Sequence, residues 1–257
     1  MQPLELADKI YLEKRVTSSE GEVFELKSAI PSPSARALFD LIKGDANIKN
    51  TLEVGCAFGM STLHICGALL GRPRAHHTII DPFQYSNWHG IGIHNLNQTG
   101  IDFYDLIEQK SEFALPKLLE NGRRFDFILI DGFHTFDHTL LDLFYANRLL
   151  RVGGYVAVDD SNWASIGRAV SFVANYPCYE FVDADKAKPL SKKKRMLGRL
   201  KRMVIMPLKL VIGEKGLRKL LHPTQFRKLY GEKYPRVTVL RKVAEDDRGF
   251  SWHDDFF

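Results

Sequence analysis

Carboxylates and glycines stand in this chain directly after short apolar runs. Open α/β sheets bind ligands at that place, outside the carboxyl ends of their strands. Leu52-Glu53-Val54-Gly55-Cys56-Ala57-Phe58-Gly59-Met60-Ser61 passes from an apolar run into an ExGxxxGxS turn. Glycine there lets the backbone approach a ligand and reverse tightly; an ordinary glycine turn is the competing reading. The spacing differs from GxGxxG, which disfavours a nicotinamide dinucleotide. Asp81 follows Thr78-Ile79-Ile80, 22 residues after Gly59. A carboxylate so placed can accept hydrogen bonds from both hydroxyls of a ribose. A solvated loop or cap residue is the alternative, and the glycine turn upstream tips the balance toward a ligand. Ser111-Glu112 follow a third apolar run, as a ligand contact or as an N-cap with an acidic first turn. Asp131 ends Asp126-Phe127-Ile128-Leu129-Ile130, His134 stands three residues on, and Asp159-Asp160 end Tyr155-Val156-Ala157-Val158.

These positions matter only if strands end where the acids begin. Apolar runs predict strands over 50–54, 77–80, 104–108, 125–130 and 154–158, with two more at 179–182 and 237–240. Helices are expected over 35–43, 61–70, 91–96, 112–119, 137–150 and 166–175, the first behind an N-cap at Ser34. Apolar strands alternating with helices indicate a mostly parallel sheet of seven strands buried on both faces, an α/β Rossmann-like fold. Residues 1–29 read as a peripheral lead-in, 30–183 as the core, 184–235 as an insert, and 236–257 as the last strand and tail.

A chain of 257 residues, 45% hydrophobic and 26% charged, can bury one substantial core and is not of disordered composition. Cys56, Cys66 and Cys178 form neither a disulfide framework nor a CxxC pair, so a reducing, cytoplasmic compartment is expected. The first residues lack a basic stretch followed by an apolar one, so no signal peptide is expected. The apolar stretch 203–213 is broken by Pro207 and Lys209 and is too short to span a bilayer.

Charge is distributed unevenly. Residues 186–242 carry 19 Lys/Arg and two acids, net +17, which leaves −12 on the rest of a chain of total charge +5. Lys192-Lys193-Lys194-Arg195 opens a basic amphipathic pattern over 192–212. It suits docking on an anionic membrane surface, at roughly 1 kcal/mol per basic residue, or a lid over a pocket, or an arm of a homodimer. Nucleic acid is disfavoured, since no RNA-recognition signature accompanies the basic residues and the body is acidic.

Taken together, the glycine turn, Asp81, Ser111-Glu112, the IDGFH segment 130–134 and Gly153-Gly154-Tyr155-Val156-Ala157-Val158-Asp159-Asp160 resemble the class I S-adenosylmethionine (SAM) dependent methyltransferases. More narrowly they resemble the metal-dependent small-molecule O-methyltransferases, the catechol/caffeoyl-CoA-like and cephalosporin-hydroxylase-like branch. The resemblance covers about residues 30–182 and the final strand. It implies that Glu53, Gly55, Gly59 and Ser61 surround the methionine part of SAM, that Asp81 holds the ribose, and that Ser111 and Glu112 lie near adenine. It also sets Asp131 at the methionine end.

In those relatives one acid after the fourth strand and two adjacent groups after the fifth hold a metal. The matching positions are Asp131, Asp159 and Asp160. Clustered carboxylates repel one another unless a cation neutralises them, and all-oxygen ligation suits Mg²⁺ or another divalent cation. The alternative makes Asp159 and Asp160 helix caps and leaves Asp131 merely bordering SAM. His134 occupies the offset of the relatives' lysine base and has a pKa suited to taking a hydroxyl proton; a stacking or capping role is the alternative, and His138, one helical turn on, is a weaker candidate. Phe83-Gln84-Tyr85-Ser86-Asn87-Trp88-His89-Gly90 either lines the acceptor pocket or packs at the surface, and Trp163 has the same two readings.

The resemblance implies methylation of a hydroxyl on a small molecule or glycan with divalent-metal assistance. The competing functions are metal-independent methylation, at nitrogen or on RNA, and a non-catalytic, membrane-associated SAM-binding scaffold.

Overall fold

The computed structural model describes residues 1–182 and 235–252. The basic pattern over 192–212 lies outside the described residues. Among the described residues no helix is long and apolar enough to cross a membrane.

The chain forms a three-layer α/β fold of the Rossmann-like type. A seven-stranded sheet has the order β5-β4-β3-β6-β7-β9-β8. Its strands are β3 (Asn50–Val54), β4 (His76–Ile80), β5 (Tyr104–Ile107), β6 (Phe125–Ile130), β7 (Leu150–Val158), β8 (Tyr179–Val182) and β9 (Thr238–Lys242). β3 to β7 pair in parallel, and β9 runs antiparallel between β7 and β8. β6, at the centre, is buried at all six positions, which is why its sequence is apolar rather than alternating.

Side chains alternate across the sheet and feed two cores. Ile79, Phe127, Leu129, Ala157 and Val239 pack under α1 (Pro3–Glu13), α2 (Ser32–Gly44), α3 (Met60–Leu69) and α4 (Ile91–Gln98). Ile80, Ile128, Ile130, Val156 and Leu240 pack under α5 (Ser111–Glu120), α6 (Phe136–Leu149) and α7 (Ala164–Val173).

Several elements depart from the sequence expectation. α2 begins at Ser32, with Pro31 and not Ser34 before its first turn; Pro33 is tolerated there because first-turn N–H groups have no helical partner. β7 starts at Leu150, four residues early, because Leu150 pairs with Phe125 across a register shift. The lead-in is not peripheral. α1 buries Leu6, Ala7 and Ile10 in the same core as α3, and a hairpin of β1 (Arg15–Thr17) and β2 (Val23–Glu25) follows.

β9 runs two residues beyond the apolar stretch visible in the sequence. Its last residue, Lys242, is 1% exposed. The ammonium donates to the carbonyls of Asn147 and Leu150 at 2.9 and 3.1 Å and to Glu245 at 2.6 Å, so it caps the C-terminal end of α6. Lys242→Met removes the donor from two buried carbonyls. It is expected to lower the unfolding free energy by about 1–3 kcal/mol, read as a lower urea midpoint at unchanged slope; an unchanged midpoint contradicts the capping role.

Candidate functional site

Strand register builds the site. Ile80, Val54, Ile130 and Val158 stand side by side across β4, β3, β6 and β7. The next residue of each strand therefore falls in one row: Asp81, Gly55, Asp131 and Asp159. Backbone bonds continue the ladder past the strand ends, from Gly55 N–H to the Ile80 carbonyl (2.9 Å), from Asp131 N–H to Val54 (2.8 Å) and from Asp159 N–H to Ile130 (3.0 Å).

Above this row lies a cavity of about 570 Å³, within the range of small-molecule sites. Its walls are the turn residues 54–58 with Met60 and Ser61, then Asp81 to Phe83, Trp88, Lys110 to Glu112, Asp131 to His134, His138, and Ser28 to Ile30 from the lead-in. Of the residues singled out in the sequence, Gly55, Ser61, Asp81, Ser111, Glu112, Asp131 and His134 line it together. Glu53 and Gly59 do not.

Glu53 precedes the turn by two residues and points under α3. Its Oε2 accepts from Thr62 Oγ1 at 2.6 Å and lies 3.2 Å from His77 Nε2, both partners fully buried. Alternation along β3 sends this side chain into the helical layer, where it braces the turn from beneath. Gly59, at φ +78°, faces Gly92, where a Cβ would come within 2.9 Å of the Gly92 carbonyl oxygen. Its role is close packing of the turn on α4.

Gly55 has φ +91°, and a Cβ there would overlap the Asp131 carbonyl oxygen. The glycine thus admits the neighbouring strand end that carries the acid. Asp81 fastens the same turn: its Oδ2 accepts from the N–H groups of Cys56 (3.1 Å) and Ala57 (2.9 Å), and its Oδ1 from Phe83 (2.9 Å). Oδ2 thus has both lone pairs engaged, and Oδ1 keeps one. Gln84, fully buried, donates to the Ala57 carbonyl and accepts from Gly92 N–H. The 83–90 loop therefore divides its roles. Gln84 is a packing pin, and Phe83 and Trp88 line the cavity, Trp88 edge-on to Phe58 at 5.1 Å.

At the mouth, His134 Nε2 lies 3.5 Å from both Asp131 Oδ1 and Asp160 Oδ2. These are ion-pair separations rather than good hydrogen bonds, and His134 Nε2 and Asp160 Oδ1 are buried atoms without a hydrogen-bond partner. The Asp131 carboxylate raises the imidazole pKa above its ordinary value, burial opposes it, and Asp160 and Asp159 reinforce it. Burial pushes the Asp131 carboxyl up, against the pull of His134. Burial and then Asp159 push Asp160 up, with Arg236 and His134 opposing. Asp131, His134 and Asp160 each bring a ligand atom within 4.8 Å of the others.

Asp159, expected with them, is not in that cluster; both its oxygens accept from Arg236. The sequence reading missed Arg236, which no local signal distinguishes among the surrounding basic residues. Trp163, 50% exposed, sets its ring 5.2 Å from that of His134, and the exposed Phe133 ring stands edge-on to His138. Thr135 caps α6, accepting from His138 N–H.

Residues 52–161 match the family model of a methyltransferase domain, a span that runs from β3 through Asp160. No curated protein matches the chain in sequence. Among solved structures, the fold is similar to an O-methyltransferase from Bacillus cereus in complex with SAH, at 17% identity and TM-score 0.55, covering 70% of this chain and 82% of that one. It is also similar to the SAM-bound O-methyltransferase TomG from Streptomyces achromogenes, involved in tomaymycin synthesis, at 16% identity and TM-score 0.52, covering 95% and 90%. Cofactor-bound Rv0187 from MTB is similar at 18% identity and TM-score 0.53, covering 70% and 81%.

Two substitutions test this geometry. Gly55→Ala forces the Asp131 strand end away and is expected to lower the thermal midpoint sharply; a wild-type midpoint contradicts the close approach. Asp142, 1% exposed on α6, has one oxygen without a partner. Burial pushes its pKa up to about 6, against a hydrogen bond from Ser111. Below the unfolded value both states are protonated and the acid costs nothing; between that value and about 6 only the unfolded state ionises, so stability falls as pH rises. Asp142→Asn is therefore expected to gain about 1–3 kcal/mol over wild type near pH 7 and nothing near pH 4. Unfolding curves at the two pH values decide it, and a pH-independent difference refutes it.

Proposed function

We propose that this protein transfers a methyl group from SAM to a hydroxyl of a small molecule or glycan, with a divalent cation assisting. One observation carries the reading. The cavity built on the glycine turn and Asp81 opens, at its Asp131 end, on an imidazole set between two carboxylates. The methyltransferase-domain match and the likeness of fold to SAM- and SAH-bound O-methyltransferases support it.

In this reading Asp81 Oδ1 accepts a ribose hydroxyl with its free lone pair while its other contacts keep the turn in place. Ser111 and Glu112 lie at the adenine end. Gly55 and Ser61 line the methionine end, where the negative charge of Asp131 favours a cationic sulfonium. SAM supplies an electrophilic methyl group. The acceptor oxygen forms the C–O bond as the C–S bond breaks, S-adenosylhomocysteine leaves, and the hydroxyl proton passes to His134 Nε2. Such a displacement needs alignment above all, and Phe133 and Trp163 give the acceptor flat apolar surfaces beside the base.

The residues present suit a cation. Asp131 and Asp160 offer oxygens across the mouth, Asp159 is adjacent, and Asp160 Oδ1 is a buried acceptor without a hydrogen bond, facing Arg236 Nη2 at 3.3 Å. A divalent ion would lower the pKa of the acceptor hydroxyl.

Titration calorimetry of SAM and SAH into the folded protein, followed by a labelled-SAM acceptor screen with Mg²⁺ or EDTA, tests the proposal. Micromolar binding that weakens at least about tenfold in Asp81→Asn is expected, along with turnover that EDTA abolishes. A folded protein that binds neither ligand overturns the methyltransferase reading, and turnover indifferent to EDTA overturns the cation alone. His134→Asn is expected to lose at least about a hundredfold in kcat, and a smaller loss removes the base role.

A further inference from the structure

Arg236 lies two residues before β9 and reaches over the end of β7. Its Nε donates to Asp159 Oδ1 and its Nη2 to Asp159 Oδ2, both at 3.2 Å. Nη2 also stands 3.3 Å from Asp160 Oδ1. The backbone fixes the same junction, since Ser161 N–H donates to the Arg236 carbonyl at 2.8 Å. Asp160 is in the left-handed region at φ +50°, so the two acids sit on a sharp turn that this double hold stabilises. Asp159 and Asp160 side chains are 1% and 8% exposed, against 37% for Arg236. The guanidinium therefore caps the acids from the solvent side.

We propose that Arg236 is a built-in counter-cation that competes with a divalent ion for Asp159 and Asp160, and so sets the cation affinity of this site. Asp131 stands across from them, and buried acids so close together repel unless neutralised. The fork of a guanidinium satisfies both oxygens of one carboxylate at once. A divalent ion that draws on Asp159 or on Asp160 Oδ1 must take the place of that fork. The site holds the guanidinium on these oxygens or the ion, not both, and the exposed position of Arg236 lets it withdraw toward solvent. This inference rests on the carboxylate mouth described above and not on turnover.

Mn²⁺ binding to the full-length protein, followed by electron paramagnetic resonance without SAM or acceptor, tests it. Arg236→Met keeps the apolar stem and removes the charge. It is expected to bind Mn²⁺ at least about tenfold more tightly than wild type. Its thermal midpoint is expected to be depressed without metal and restored by Mn²⁺. Arg236→Lys, a point charge that cannot bridge both oxygens, is expected to fall between the two. Asp159→Asn combined with Arg236→Met should lose the gain. Mn²⁺ affinity in Arg236→Met within about twofold of wild type, or weaker, overturns the proposal; should that variant fail to fold even with Mn²⁺, an Arg236→Lys affinity equal to wild type does so. A wild type that binds no Mn²⁺ beside an Arg236→Met that does supports it. SAM binding and methyl transfer, measured separately, tell a failure here from a failure of the functional reading.

Discussion

Four strand ends in register carry this molecule's site. With Ile80, Val54, Ile130 and Val158 abreast, Asp81, Gly55, Asp131 and Asp159 have no freedom to separate. A slip of one residue on β4, β6 or β7 would move its acid to the other face of the sheet and dissolve the row. The register is held because both faces are buried, so every slip would carry core residues into the wrong layer. The bare backbone of Gly55 then lets the β6 end close on the β3 turn. Glu53 braces that turn from beneath through Thr62 and His77, and Asp81 ties it from the side.

This geometry concentrates negative charge at the edge of a low-dielectric core, a costly arrangement without compensation. His134 and Arg236 divide the compensation between them. His134 faces Asp131 and Asp160, and Arg236 faces Asp159 and Asp160. Asp160 is thus shared, and it is the acid whose backbone takes the strained turn. Ser165 fixes the backbone of His134 by donating to its carbonyl. The mouth is therefore organised by contacts among β6, β7, α7 and the approach to β9, elements that lie far apart in the chain.

The opposite wall comes from the lead-in and the aromatic loop. Phe24 of β2 stacks on His89 at 4.3 Å, joining the hairpin to the loop that carries Trp88. Tyr11 donates to the Ile30 carbonyl at 2.7 Å and holds the segment from Ser28 to Ile30 against the cavity. Because α1 shares a core with α3, this wall is anchored to the same helix that begins at the glycine turn.

The sequence by itself determined the strand and helix order, the mostly parallel sheet and the strand-end positions of Gly55, Asp81, Asp131 and Asp159, since apolar runs followed by glycine or acid are local signals. It identified Asp131 and His134 as neighbours at the mouth because both lie on one short segment. It did not reveal that Glu53 lies beneath the turn or that Gly59 packs on α4, because a motif gives spacing along the chain but not the face to which a side chain turns. It took residues 1–29 as peripheral, because a single amphipathic helix does not announce the core it covers. Tertiary structure alone decided that Arg236 claims Asp159, 77 residues away, and that Asp142 is left with an unpaired oxygen beneath the cavity. Such pairings depend on which distant surfaces the folded sheet brings within a few ångströms, and no pattern along the chain encodes that distance.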